Sequence, residues 1–171
     1  MKFTHTATIP FAADKIDLGE WLFTMSNDEY KLASRQHRGL GTFVEKGARG
    51  MINVESIGGV LVVQHYREVE VRPGFVQLLS ERSTAYVMHI VRIPMWVRWT
   101  TWVMPETRDT STLWSMVETT MPALLQVMIW ATGLPWFLRR HNAEETAGFA
   151  ADITRKLRGH RERRRLKRNA R

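Results

Sequence analysis

The sequence predicts an α+β domain in which a curved antiparallel sheet is closed by a long C-terminal helix. Three patterns predict it. Residues 3–9 alternate like a strand and lead into two short helical segments; residues 37–120 form β-rich runs separated by turn signals; and helical periodicity resumes after residue 134. With 171 residues, 44% of them hydrophobic, the chain is long enough for one domain with its own core.

The elements follow in order. Phe3, His5, Ala7 and Ile9 alternate with Thr4, Thr6 and Thr8, the period of a strand with one covered face, and Pro10 ends it. Ile16, Trp21 and Leu22 have helical spacing, and Ser26-Asn27-Asp28-Glu29 has the Ser-x-x-Glu form of a capping box that opens a second short helix. Strands are expected at 41–45, 51–56, 60–71, 75–80, 85–93, 95–104 and 110–119, with Pro94 either a break or a bulge in one bent strand. The window 121–138 is the most apolar, with Gln126 its only strongly polar side chain. Its 18 residues are interrupted by Pro122, Gly133 and Pro135, whereas a membrane span needs about 20, so a buried or interfacial segment is expected rather than a crossing helix.

The helix that follows carries the best chemical clue. At about 100° per residue, Leu134, Leu138, His141, Glu145, Phe149 and Asp152 fall in one stripe with Phe137 and Gly148. His141 and Glu145, four residues apart, therefore share the face that should be buried. An unpaired carboxylate there costs several kcal/mol, so Glu145 needs a metal ion, a cationic partner or a polar ligand, and Asp152 is placed to form a salt bridge.

Charge is distributed unevenly. Residues 155–171 hold ten Lys or Arg against one acid, Glu162, a charge of +9; with a total of +8, residues 1–154 sum to −1. The division expected is a ligand-binding domain over 1–154 and a basic, disordered tail over 155–171. Such a tail can contact an anionic membrane peripherally, but it has no aromatic residues for base stacking, so nucleic acid is disfavoured as a partner. The absence of cysteine excludes disulfides, thiolate metal sites and cysteine nucleophiles. No Gly-x-Ser-x-Gly elbow, phosphate-binding loop or dinucleotide Gly-x-Gly-x-x-Gly is present. The N-terminus lacks the apolar core of a signal peptide, so a cytoplasmic location is expected.

The order strand, two short helices, antiparallel strands and long C-terminal helix resembles the START-like or Bet v 1-like superfamily, the helix-grip fold of polyketide cyclases and lipid-transfer proteins. Residues 6–16, Thr-Ala-Thr-Ile-Pro-Phe-Ala-Ala-Asp-Lys-Ile, look like its first strand and helix entry, and residues 25–30, Met-Ser-Asn-Asp-Glu-Tyr, like its second helix. The resemblance implies a sheet wrapped round the last helix, with a hydrophobic cavity between them. A metal-dependent branch, the diacetylphloroglucinol and phloretin hydrolases, is similar in a further respect: it holds zinc with a His and a Glu from the sheet and a His-x-x-x-Glu pair from the last helix. His141 and Glu145 match that pair.

For the sheet ligands the candidates are His89, which alternates with Val87, Val91 and Ile93, and Glu118, which alternates with Trp114 and Met116. His65 and, more weakly, His5 are substitutes. Such a donor set suits Zn²⁺, with Fe²⁺ and Mn²⁺ as alternatives. Arg67, Tyr86 and Arg98 are potential helpers whose default role is at the surface. Trp96, Trp99, Trp102, Trp114, Met116, Phe137 and Leu138 are expected to line the cavity. The function expected is binding of a hydrophobic, aromatic or polyketide-like molecule, with metal-assisted hydrolysis or cyclisation. The alternative is a lipid or isoprenoid carrier that touches membranes through residues 121–138 and the basic tail.

Overall fold

The computed structural model describes residues 1–88, 90–120 and 133–169. Strands β1 (Lys2–Ile9), β2 (His37–Glu45), β3 (Ala48–Ile57), β4 (Val60–Arg72), β5 (Phe75–Val87), β6 (Val91–Pro105) and β7 (Ser111–Thr120) form one antiparallel sheet in the order β1-β7-β6-β5-β4-β3-β2. Helices α1 (Leu18–Phe23) and α2 (Asn27–Ala33) lie between β1 and β2, and α3 (Leu134–Asn169) closes the chain. The expected capping box forms: the Ser26 side chain accepts from the Glu29 N–H, and Glu29 accepts from the Ser26 N–H. Adjacent strands join through tight turns, and Gly58 and Gly59, both at positive φ, make the β3–β4 turn whose twist matches a hairpin.

Helix α3 packs on β1, β7 and α2. Phe149 and Ile153 from α3 meet Ile9, Leu18, Leu22, Tyr30, Met51, Leu78 and Leu113 in the main core. A Cβ on Gly148 would overlap the backbone of Ala33, so this glycine lets α3 approach the end of α2 at backbone contact distance. That approach brings Ser34 and His37, which follow α2 directly, beneath the inward stripe of α3.

Three expectations change. The single strand over 85–93 is two strand ends, Val87 closing β5 and Val91 opening β6, with Met88 at φ 51° and the Ile90 N–H donating to the Val87 carbonyl in the turn between them. Pro94 neither breaks nor bulges its strand: it lies opposite Thr84 on β5, while β7 pairing begins only at Trp96, so its missing N–H removes no ladder bond on that side. The basic segment 155–169 continues α3 rather than leaving it disordered. Its first turn is held by ion pairs of Arg155 and Lys156 with Glu29 and Asp152, and by Leu157 packing on the core. Among the described residues, no helix is long and apolar enough to cross a membrane. Of the apolar window 121–138, residues 121–132 lie outside the described residues.

Candidate metal centre and cavity

His37 opens β2 directly opposite Glu55 on β3, and the register shifts immediately afterwards, so the pair shares one face at the end of the sheet. Inward positions on β3 are Met51, Asn53, Glu55 and Ile57. From above, α3 presents His141 and Glu145 one turn apart. One ligand atom from each of His37, Glu55, His141 and Glu145 lies within 4.8 Å of the other three, and all four residues are buried.

Each member is oriented by a further partner. His37 Nδ1 donates to the Tyr30 carbonyl at 2.6 Å, which turns Nε2 toward Glu145 Oε1, 3.1 Å away. The Tyr30 ring stacks on the His37 imidazole at 3.7 Å, and its hydroxyl donates to Glu55 Oε1 at 2.6 Å. His141 Nδ1 lies 3.3 Å from Ser34 Oγ, and its Nε2 lies 3.4 Å from Glu55 Oε2. Ser34 donates to Gln36 Oε1 at 2.7 Å, which leaves its lone pair for the His141 ring.

Without a metal the four side chains neutralise one another. Burial pushes the Glu55 carboxyl up, but the hydrogen bond and charge of His141, with the charge of His37 and the Tyr30 hydrogen bond, outweigh it and hold the pKa at about 2. Burial pushes His141 down, and the Glu55 hydrogen bond and charge, followed by Glu145 and Glu144, outweigh it and raise the pKa to about 9. His37 is raised against its burial chiefly by Glu145. Burial and the two carboxylates drive the Tyr30 and Tyr66 hydroxyls upward, so both stay protonated, and Tyr30 remains the donor to Glu55.

The donor set fits a metal. Two imidazole nitrogens and two carboxylate oxygens, with no thiolate, are zinc ligands, and tetrahedral bonds of about 2.0–2.1 Å put ligand atoms about 3.3 Å apart. Two of the six separations, His37–Glu145 at 3.1 Å and His141–Glu55 at 3.4 Å, lie near that edge, and all four atoms lie within 4.8 Å of one another. Anchoring the distal ring nitrogen to a carbonyl or hydroxyl is the usual support for a ligating imidazole.

Glu55, His141 and Glu145 of the cluster line a cavity of about 60 Å³, whose apolar walls include Phe3, Ile57, Val62, Met95, Val97, Trp99, Val117 and Leu138. Of the candidates read from the sequence, His141 and Glu145 stand in the cluster, and Trp99 and Leu138 line the cavity. Glu118 does not join them. It lies on the outer face of β7, across from Lys2 and Arg98, with ion-pair distances of 3.9 and 3.8 Å. His65 is exposed on the outer face of β4, and His5 is not among the four. His89 lies outside the described residues; the alternation that suggests it is interrupted by the β5–β6 turn. Trp96, Trp102, Trp114 and Met116 share the parity of Arg98 and Glu118 on the outer face, where Trp102 stacks on Trp114 at 5.5 Å. Phe137 is exposed beside Trp136. Arg67 pairs with Glu45, Arg92 lies over Tyr86, and Arg98 lies over Trp96, so none of the suggested helpers touches the cluster. Asp152 forms the expected ion pairs and also accepts from Trp21 Nε1 at 2.9 Å.

His37 and Glu55 are absent from the sequence reading. In β3 the apolar alternation favours Ile52 and Val54, yet the face with Asn53 and Glu55 is the more deeply buried. A polar pair flanked by Met51 and Ile57 is the available signal.

No family model and no curated protein matches the sequence. Solved structures do match the fold. A protein of Thermus thermophilus superposes with a TM-score of 0.66 at 10% identity, over 90% of this chain and 97% of that one. The Zhui aromatase/cyclase from a Streptomyces species gives 0.66 at 11% identity, over 92% and 95%. A START superfamily protein from Mycobacterium smegmatis gives 0.51 at 8% identity, over 92% and 97%. The chain has the START-like helix-grip fold.

Proposed function

We propose that the protein binds a hydrophobic, oxygen-bearing small molecule in the cavity and acts on it by metal-assisted hydrolysis or cyclisation, with the metal held by His37, Glu55, His141 and Glu145. The observation that carries this reading is the convergence of four buried ligand atoms within 4.8 Å, three of whose residues, Glu55, His141 and Glu145, line a largely apolar cavity. Zinc suits the donors best, and Fe²⁺ or Mn²⁺ share them. When bound, such a metal polarises a carbonyl or hydroxyl oxygen and makes water nucleophilic near neutral pH. The chain's own groups prepare the place: Tyr30 and Ser34 fix the imidazoles and Glu55, and the apolar walls exclude bulk water. An apolar cavity of about 150 Å³ accommodates benzene. A ring therefore needs the 60 Å³ cavity to widen, and the unbranched Met95 and rotatable Leu138 are the wall residues suited to move. The aromatase/cyclase among the similar structures supports small-molecule chemistry on this fold by analogy.

Zinc titration tests the reading. One ion per chain is expected in the wild type, bound at least tenfold more weakly in His37→Ala, Glu55→Ala, His141→Ala and Glu145→Ala and with unchanged affinity in Glu118→Gln. A wild type that takes up no divalent metal and co-purifies with lipid overturns it in favour of a carrier that meets anionic membranes through the basic end of α3.

A further inference from the structure

The cavity holds a second set of groups that the metal reading does not use. Asn53, Gln64, Thr119 and Asn142 all line it. None exposes more than 7% of its surface, yet Asn53 Oδ1, Gln64 Oε1, Thr119 Oγ1 and Asn142 Nδ2 have no hydrogen-bond partner among the described residues. Among the described residues such atoms are these four and Arg98 Nε, so four of those five belong to one small space. Buried polar side chains are nearly always paired, and orphaned ones cost stability, which makes four around one cavity a feature requiring an occupant.

Their arrangement describes that occupant. Asn53 and Gln64 are directly opposed in the β3–β4 register, and both point inward, so two carbonyl oxygens stand side by side on one wall. Thr119 on β7 and Asn142 on α3 supply a hydroxyl and an amide donor from other elements. None of the four carries charge; apart from Glu55, His141 and Glu145 of the cluster, the remaining lining is largely apolar and includes the Tyr66 and Trp99 rings.

We infer that Asn53 and Gln64 are specificity-determining residues, and that they select a neutral ligand which donates hydrogen bonds to both carbonyl oxygens while Thr119 and Asn142 bind its other oxygen functions. The ligand is a hydroxylated compound on a compact apolar frame, in contrast to a hydrocarbon or an acyl chain. This rests on the reading of the cavity as a ligand site but is independent of which metal the cluster holds. A site built to pair donors rejects an analogue without them much more strongly than an apolar pocket rejects a missing methylene, because its own polar atoms are then left buried and unpaired.

The test compares benzene-1,3-diol with 1,3-difluorobenzene, ligands of similar size that require the same widening, by calorimetric or NMR titration of the full chain. The diol is expected to bind about 10–100-fold more tightly. In Gln64→Met and Asn53→Leu, zinc stoichiometry stays that of the wild type, the diol loses at least tenfold, and difluorobenzene holds or gains. Equal affinity of wild type for the two compounds overturns the inference while leaving the cavity a ligand site. Binding of neither overturns both, leaving four polar groups that hold only water. Undiminished diol binding in both variants also overturns it.

Discussion

The two faces of β6 and β7 differ in the opposite sense from the usual expectation. The outer face carries Trp96, Trp102, Trp114 and Met116, whereas the inner face alternates Val97, Trp99 and Val117 with Thr101, Ser115 and Thr119. The outer aromatics are satisfied locally: Trp102 stacks on its cross-strand partner Trp114, and the Arg98 guanidinium lies over Trp96. The inner face spends its positions on hydroxyls and, across the cavity, on amides, imidazoles and carboxylates. Aromatic density thus marks a stable outer surface, and the chemistry lies where polarity is buried.

The largest separation of the two faces is expected from their charges. In metal-free protein, Glu55→Leu leaves the buried His141 imidazole and the Tyr30 hydroxyl without their partner, and denaturant unfolding should show a loss of about 3–5 kcal/mol. Glu118→Leu on the outer face should cost about 0–1 kcal/mol, as expected for a solvent-screened pair. Equal losses would erase the distinction. The aromatic contrast should be nearly as large. Trp99 is buried and donates from Nε1 to Ser115 Oγ at 3.0 Å, so Trp99→Ala should cost about 3–5 kcal/mol. Trp114→Ala, which removes one half of a partly exposed stack, should cost about 1 kcal/mol beyond its lost area.

A smaller, graded effect follows from pH. His141 is raised above its ordinary 6.5, so its contribution is full below 6.5 and is lost as pH rises through about 9. Glu55 is lowered below its ordinary 4.5, so its contribution is full above 4.5 and is lost as pH falls through about 2. The metal-free pair therefore stabilises the fold most between pH 4.5 and 6.5. The melting temperature of metal-free protein should fall on the alkaline side of that window, and His141→Gln should flatten this limb. An unchanged alkaline limb in the variant would contradict the assigned role of the imidazole.

These contrasts explain what is legible in the sequence. The capping box at Ser26 and Glu29 and the alternation of β1 depend on neighbours within a few residues, and both form as expected. The stripe holding His141, Glu145, Phe149 and Asp152 is legible because a helix displays its period over many turns. Strand parity is not legible on β3, β6 and β7: period-two alternation assigns the more apolar side to the interior, and on these strands the interior carries the site. Alternation therefore places Glu118 inward with Trp114 and Met116, and passes over Glu55 beside Val54. His37 gives no local signal because its role depends on tertiary contact: it lies just beyond α2, where the close approach of Gly148 to Ala33 brings it under α3.

X-ray absorption at the zinc edge of the metal-loaded protein tests the central claim most directly. The account predicts a first shell of four protein nitrogen and oxygen neighbours and one further water or substrate oxygen at about 2.0–2.2 Å, with outer-shell scattering from two imidazole rings that falls to one ring in His37→Ala. A six-coordinate shell of water oxygens, or two-ring scattering unchanged in that variant, would show that the metal sits elsewhere and that the buried quartet is only a self-neutralised part of the core.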